Sequence, residues 1–259
     1  MKTPSLLILL VIAFTSCKKE NVFIQETKDN SLKSISSVNY GYKEDFNLAD
    51  GLLSAYYLDV YGTGAVVYEV DYDSERRASS IKKNGNTIAS FYYNLNTVSL
   101  YVDDGLVDSL FYTINQFGKI SSLDKFDDFH GEMLKNAYKE YRYSNNNLVE
   151  MHCTEYNSDA SIKLTYSETA IFDNGKNAFE PYQENAVLLE FLFQHIPSRV
   201  FTAHSQNNIT YLESTHPSDG YNLSQSIDYN SLGYPADISY TKDQYGYVDQ
   251  DIELYVYHE

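Results

Sequence analysis

From Tyr40 onward the chain alternates apolar and polar residues with a period of two. In VVYEVDY, Val66, Tyr68, Val70 and Tyr72 fall on one face and Val67, Glu69 and Asp71 on the other, the signature of a strand buried on one side. Such runs are punctuated by one recurring turn: Asp73-Ser74-Glu75-Arg76, Asn115-Gln116-Phe117-Gly118, Ser144-Asn145-Asn146-Asn147 and Asn230-Ser231-Leu232-Gly233. A small polar side chain at its first position can accept from the backbone two residues on. Gly or Asn at the fourth tolerates the left-handed conformation of a type I turn with a G1 bulge. The residues just before these turns are Tyr72, Ile114, Tyr143 and Tyr229. The pattern predicts an all-β, predominantly antiparallel chain, a meander of hairpin repeats. Its sheet, of about ten or more strands, must curl or close into a half-barrel.

The alternation breaks once, at ENAVLLEFLFQHIP. Val187, Leu188, Leu189, Phe191, Leu192, Phe193 and Ile196 leave only Glu190 and Gln194 as a polar edge. This predicts one short buried helix over 185–196, ended by Pro197 and covering one face of the sheet. About 12 residues rise only about 18 Å, too short to cross a membrane. Gly175–Pro181 and Pro197–Pro217 read as irregular connections, and as the place to look for a ligand beside the helix.

The N-terminus has a different layout. Lys2 precedes an unbroken apolar run from Leu6 to Phe14, followed by Thr15, Ser16 and Cys17, as in a signal peptide. Thr15, Ser16 and Cys17 resemble the lipobox of bacterial lipoproteins, although Phe14 stands where Leu is more usual. The resemblance implies a signal peptide over 1–16 and lipidation at Cys17; the polar stretch that follows reads as a tether, giving an anchor and flexible tether over 17–39, and the alternation from Tyr40 a β-rich domain over 40–259. The resemblance also implies a partner, the membrane, reached through the acyl chains. Lys18, in place of aspartate after the cysteine, resembles the lipoproteins of the outer membrane, facing periplasm or cell surface. With Cys17 so used, Cys153 is the one remaining thiol and no intrachain disulfide can form.

Two further resemblances concern the β region. Tyr72-Asp73 and Tyr229-Asn230 opening turns resemble the YD-type repeats of bacterial surface proteins. Phe172-Asp173-Asn174-Gly175-Lys176-Asn177-Ala178-Phe179, followed after the apolar segment by Ser205-Gln206-Asn207-Asn208-Ile209-Thr210, is similar to a family of Bacteroidetes envelope lipoproteins. Ala178 replaces that family's proline. The likeness implies an envelope location and a β-rich fold with a helical insertion; it brings no activity.

Charge and chemistry narrow the function. A net charge of −17 repels nucleic acid and anionic headgroups. No G-x-S-x-G occurs, and strand geometry points His152 and Cys153 to opposite faces. His195, His204 and His216 match no zinc spacing. The chain therefore reads as non-catalytic, with no cofactor and no metal. Its 26 tyrosines against no tryptophan suggest a binding face for glycan or an envelope protein, with Tyr245, Tyr247, Tyr255 and Tyr257 as candidate residues. The alternative is a carrier of lipid or another apolar ligand in a cavity between curved sheet and helix.

Overall fold

The alternating segments pair consecutively, and the last returns to the first. The computed structural model describes residues 31–60, 62–103, 107–129, 132–194 and 196–258; the predicted signal peptide and Cys17 lie outside them. The strands are β1 (Leu32–Ser37), β2 (Tyr42–Ala49), β3 (Leu52–Val60), β4 (Val66–Tyr72), β5 (Ala78–Lys83), β6 (Asn86–Asn94), β7 (Thr97–Asp103) and β8 (Val107–Ile114). They continue as β9 (Ile120–Phe129), β10 (Glu132–Ser144), β11 (Asn147–Tyr156), β12 (Ile162–Phe172), β13 (Ile209–Ser214), β14 (Tyr221–Tyr229), β15 (Pro235–Gln244) and β16 (Tyr247–Tyr257). These 16 strands of the described residues form one closed antiparallel barrel in sequence order. The curvature expected from the sequence thus runs to full closure, made by β1 against β16 from Leu32↔Tyr257 to Ser37↔Glu253. The flexible tether expected through residue 39 is corrected accordingly. It cannot extend past Ser31, because 32–37 are the closing strand and removing them would leave two open edges.

The predicted turns form, with one variation. Asp73, Asn115 and Asn230 each accept two backbone N–H bonds through Oδ1, and Arg76, Gly118 and Gly233 take the positive φ of the bulge. A further copy, Asn157 to Ala160, has the same backbone bonds, with Ala160 at φ +62°. Ser144–Asn147 differs: Asn145 and Asn146 both have positive φ, which makes a two-residue hairpin of the primed type that follows strand twist.

Between β12 and β13 the chain leaves the wall as a 3-10 turn (Glu180–Asn185), α1 (Ala186–Phe193) and α2 (Pro197–Ala203). The helix expected over 185–196 forms as α1, and Pro197, expected to end it, opens a second helix as its first residue. The 197–217 segment, expected to be irregular, holds α2 and β13. These helices do not cover the sheet from outside. Phe193 meets Tyr56 of β3 at 5.9 Å between ring centroids, while Glu190 bonds Tyr141 of β10 and Arg199 bonds Glu253 of β16. Partners on such separated parts of the wall place the insertion inside the lumen. A barrel of this strand number is too wide for wall side chains alone to fill, so the one helical segment in the sequence supplies the missing core.

Both ends of the insertion are tied by an asparagine clasp. Asn177, fully buried, donates Nδ2 to the carbonyls of Thr202 (2.5 Å) and Ser205 (2.6 Å) and accepts from Phe179 N. Asn208 Nδ2 donates to Lys176 O and Asn207 Nδ2 to Gly175 O. Gly175 is required here, since a Cβ would overlap the Tyr229 ring. Asn177→Ala strands buried carbonyls, so unfolding stability should fall by about 2–3 kcal/mol. For a chain of this size that is a drop of roughly 5–10 °C in Tm by circular dichroism; an unchanged Tm would mean the clasp is not structural.

Candidate functional site

Because side chains alternate across the wall, every β-strand has a lumenal and an outer set. Lumenal positions are dominated by apolar residues such as Phe46, Tyr56, Ile81, Leu100 and Leu110. Outer positions include Lys43 and Asn47 on β2, Glu69 and Asp71 on β4, and Thr165 and Thr169 on β12. A bilayer-spanning barrel has the reverse arrangement, an apolar outer band around a polar interior. Ile252, Leu254 and Val256 make an exposed apolar line on β16, but their neighbours in register include Ser34, Ser36, Asp237 and Ser239.

The two barrel ends also differ. At the end from which the insertion springs, lumenal tyrosines hand their hydroxyls to backbone carbonyls: Tyr72 to Leu53, Tyr93 to Ala78, Tyr257 to Pro235 and Tyr182 to Leu32. Tyr72, Ile114, Tyr143 and Tyr229, the residues before the predicted turns, all reach this plugged end. At the opposite end a pocket of about 390 Å³ remains. Its floor is the tip of the insertion, Ile196 to Arg199, and its walls include Tyr40, Leu58, Val60, Tyr221, Leu223 and Lys242.

The floor rests on a buried ion cluster. Arg199 Nη1 donates to Glu253 Oε2 (2.9 Å) and Tyr255 Oη (2.8 Å), and Nη2 donates to Glu44 Oε1 (3.2 Å). Tyr56 Oη donates to Glu44 Oε2 and Tyr42 Oη to Glu253 Oε1, so each oxygen of both carboxylates already accepts a bond. Burial pushes the Glu44 carboxyl up, with Arg199 opposing.

A second cluster grips α1. Glu190, expected as the polar edge of the helix, is fully buried; its polarity is used inside the lumen, not at a solvent edge. Its carboxylate accepts from Tyr141 Oη at 2.6 Å and faces His204 Nε2 at 3.2 Å and Lys139 Nζ at 3.5 Å. Burial alone would raise this carboxyl, but Lys139, His204 and Tyr141 hold it down at about 2. Glu168, nearby on β12, has no such set of partners. Burial pushes it up to about 7 against the pull of Lys139.

The sequence-selected residues scatter. Tyr245 and Tyr247 are 61% and 80% exposed beside the β15–β16 turn at the open end, whereas Tyr255 is buried on Arg199 and Tyr257 sits in the ring at the plugged end. Ten residues of strand separate Tyr247 from Tyr257, about 33 Å. The four therefore form no common binding face; Tyr255 and Tyr257 share the lumenal parity of β16. An exposed aromatic group does exist elsewhere on the outer wall: Tyr92, Tyr101 and Phe111 on β6 to β8, with Phe126 of β9 packed edge-on against Phe111 at 5.5 Å. Cys153 is buried in the lumen, its thiol pushed up to about 11 by burial, while His152 turns to Ser167. His204 and His216 are apart, one on Glu190 and the other edge-on to Tyr166; His195 lies outside the described residues. Sequence reasoning missed Glu44, Arg199 and Glu253. Their only signal was a charge standing at a lumenal parity or within the insertion.

No family model and no curated protein matches the chain. It is similar in structure to a porin-like protein from Bacteroides uniformis, with 12% identity, TM-score 0.42, and coverage of 88% of this chain and 98% of that one. A porin-like protein from Bacteroides vulgatus matches with 11% identity, TM-score 0.37, and coverage of 87% and 98%.

Arg199→Ala leaves two buried carboxylates facing each other and should cost about 3–5 kcal/mol, read as a lowered midpoint in denaturant. Glu168 gives a pH signature. Its folded pKa of about 7 stands above its value in the unfolded chain, so its favourable contribution is complete below about pH 4.5 and is lost as pH rises through 7. Glu168→Gln should therefore gain stability over the parent chain on going from pH 5 to pH 8, by on the order of 3 kcal/mol. Melting curves at both pH values test this, and a difference that does not grow with pH would refute it.

Proposed function

We propose that the protein is a non-catalytic envelope lipoprotein, anchored through Cys17, that binds an apolar small molecule in the open end of its barrel. The observation that carries this reading is the pocket of about 390 Å³, walled by Leu58, Val60, Leu223 and tyrosine rings. That size lies in the range of small-ligand sites. The polar outer positions support a barrel standing in water, with attachment left to the acyl chains. The chain enters the barrel at Leu32, at the plugged end, so a tether there would hold the pocket mouth away from the membrane. The acids at the floor are committed to Arg199, which favours binding over acid–base chemistry.

A second reading, an interaction module, is favoured by the aromatic group of Tyr92, Tyr101 and Phe111 on the outer wall, which suits a glycan or an envelope protein.

Native mass spectrometry of the purified protein, with solvent extraction, should find a small apolar adduct. Val60→Trp at the pocket rim should weaken binding of the neutral probe N-phenyl-1-naphthylamine about tenfold, with Tm unchanged. Failure of the parent chain to bind the probe, together with a clean polypeptide mass, would remove the lumenal reading and leave the outer wall.

A further inference from the structure

The pocket's charged groups are not equally committed. At the floor Arg199 pairs with both Glu44 and Glu253 through its two Nη groups, its Nε having no partner among the described residues. Lys242 stands higher, three residues before the β15–β16 turn and in register with Leu223 and Asp249. Its ammonium lies 4.9 Å from the centroid of the Tyr221 ring, a cation–π contact that holds it against the pocket wall. Among the described residues no carboxylate lies within 4.0 Å of it, Asp249 included. On the wall, Lys82 is paired with Asp71, Lys125 with Asp108, Lys135 with Asp124 and Lys163 with Glu155, whereas Lys119 and Lys176, at the plugged end, lie over tyrosine rings as Lys242 does but do not line this pocket. In a chain of net charge −17, a lysine without a carboxylate at the rim of an apolar pocket offers its charge to a negative group of a ligand.

Resting on the binding reading above, we propose that the ligand is an amphipath with one carboxylate, its head on Lys242 and its apolar chain against Leu58, Val60, Ile196 and Leu223. The opposite orientation is disfavoured by charge. A carboxylate at the floor would meet Glu44 and Glu253, and Arg199 already serves both. With the head at the rim, its remaining lone pairs stay in water while the chain is buried, which avoids desolvating a charge in the lumen.

Displacement of N-phenyl-1-naphthylamine from the full chain at pH 8 separates head from tail. Laurate should compete at a concentration about tenfold or more below that of methyl laurate. Lys242→Met keeps an unbranched stem over Tyr221 and should abolish that preference while leaving the ester unchanged; Lys242→Arg should retain it. Equal competition by acid and ester in the parent chain, or an unchanged preference in Lys242→Met, overturns the head assignment and leaves the apolar pocket standing. A parent chain that binds neither probe nor laurate overturns both.

Discussion

A closed sheet of this many strands has a lumen that its own side chains cannot fill, and the rest of the structure follows from how it is filled. The filling comes from one insertion between Phe172 and Ile209, and two buried charges of opposite sign define how it sits. Arg199 is held between Glu44 and Glu253 near the closing strands, and Glu190 meets Lys139 and Tyr141 on the far wall, with His204 of the insertion itself beside it. Apolar contacts such as Phe193 on Tyr56 and Phe179 supply the burial energy, about 1.5–3 kcal/mol for each large side chain. They would tolerate a rotated or shifted plug. The charges would not, since a displaced Arg199 leaves its acids uncompensated in the lumen. In this protein, buried ion pairs specify one seating of the plug more than they add to stability.

The same seating makes the pocket. The insertion enters and leaves at one end, where the asparagine clasp ties it to the wall, and its tip stops at Ile196 to Arg199. Above the tip no described residue of the insertion reaches, so the open end keeps an apolar-walled space. The depth of that space is then a consequence of plug length, and Arg199 fixes it by bonding two wall strands at once.

Much of this architecture was legible in the sequence because it is local. Tyr68, Val70 and Tyr72 do share the lumenal face, and the turns opened by Asp73, Asn115 and Asn230 do carry the expected bulge. What could not be read was long-range. Closure depends on pairing Leu32 with Tyr257, and neither strand announces it: LKSISS is short and half serine, so it resembled tether. The insertion's hydrophobic surface was visible, but a helix inside a barrel and one lying on a sheet have the same pattern. Glu190, read as part of the helix's polar edge, is fully buried because the surroundings supply a lysine, a tyrosine and a histidine. The Tyr245 to Tyr257 group failed for a simpler reason, since residues of one strand parity can still lie a barrel's length apart.

The sequence stretches that carried the family likeness, 172–179 and 205–210, turn out to be the two halves of the clasp. Asn177, Asn207 and Asn208 are needed because a chain leaving a barrel wall and returning to the neighbouring strand must satisfy carbonyls that no sheet or helix serves. A carboxamide can donate to such carbonyls and accept from an N–H at the same site, as Asn177 does with Thr202, Ser205 and Phe179. The motif therefore concerns how a plug is hinged to a barrel and is silent on the ligand. Lys242, Tyr221 and the aliphatic wall stand at the other end of the lumen, away from the hinge.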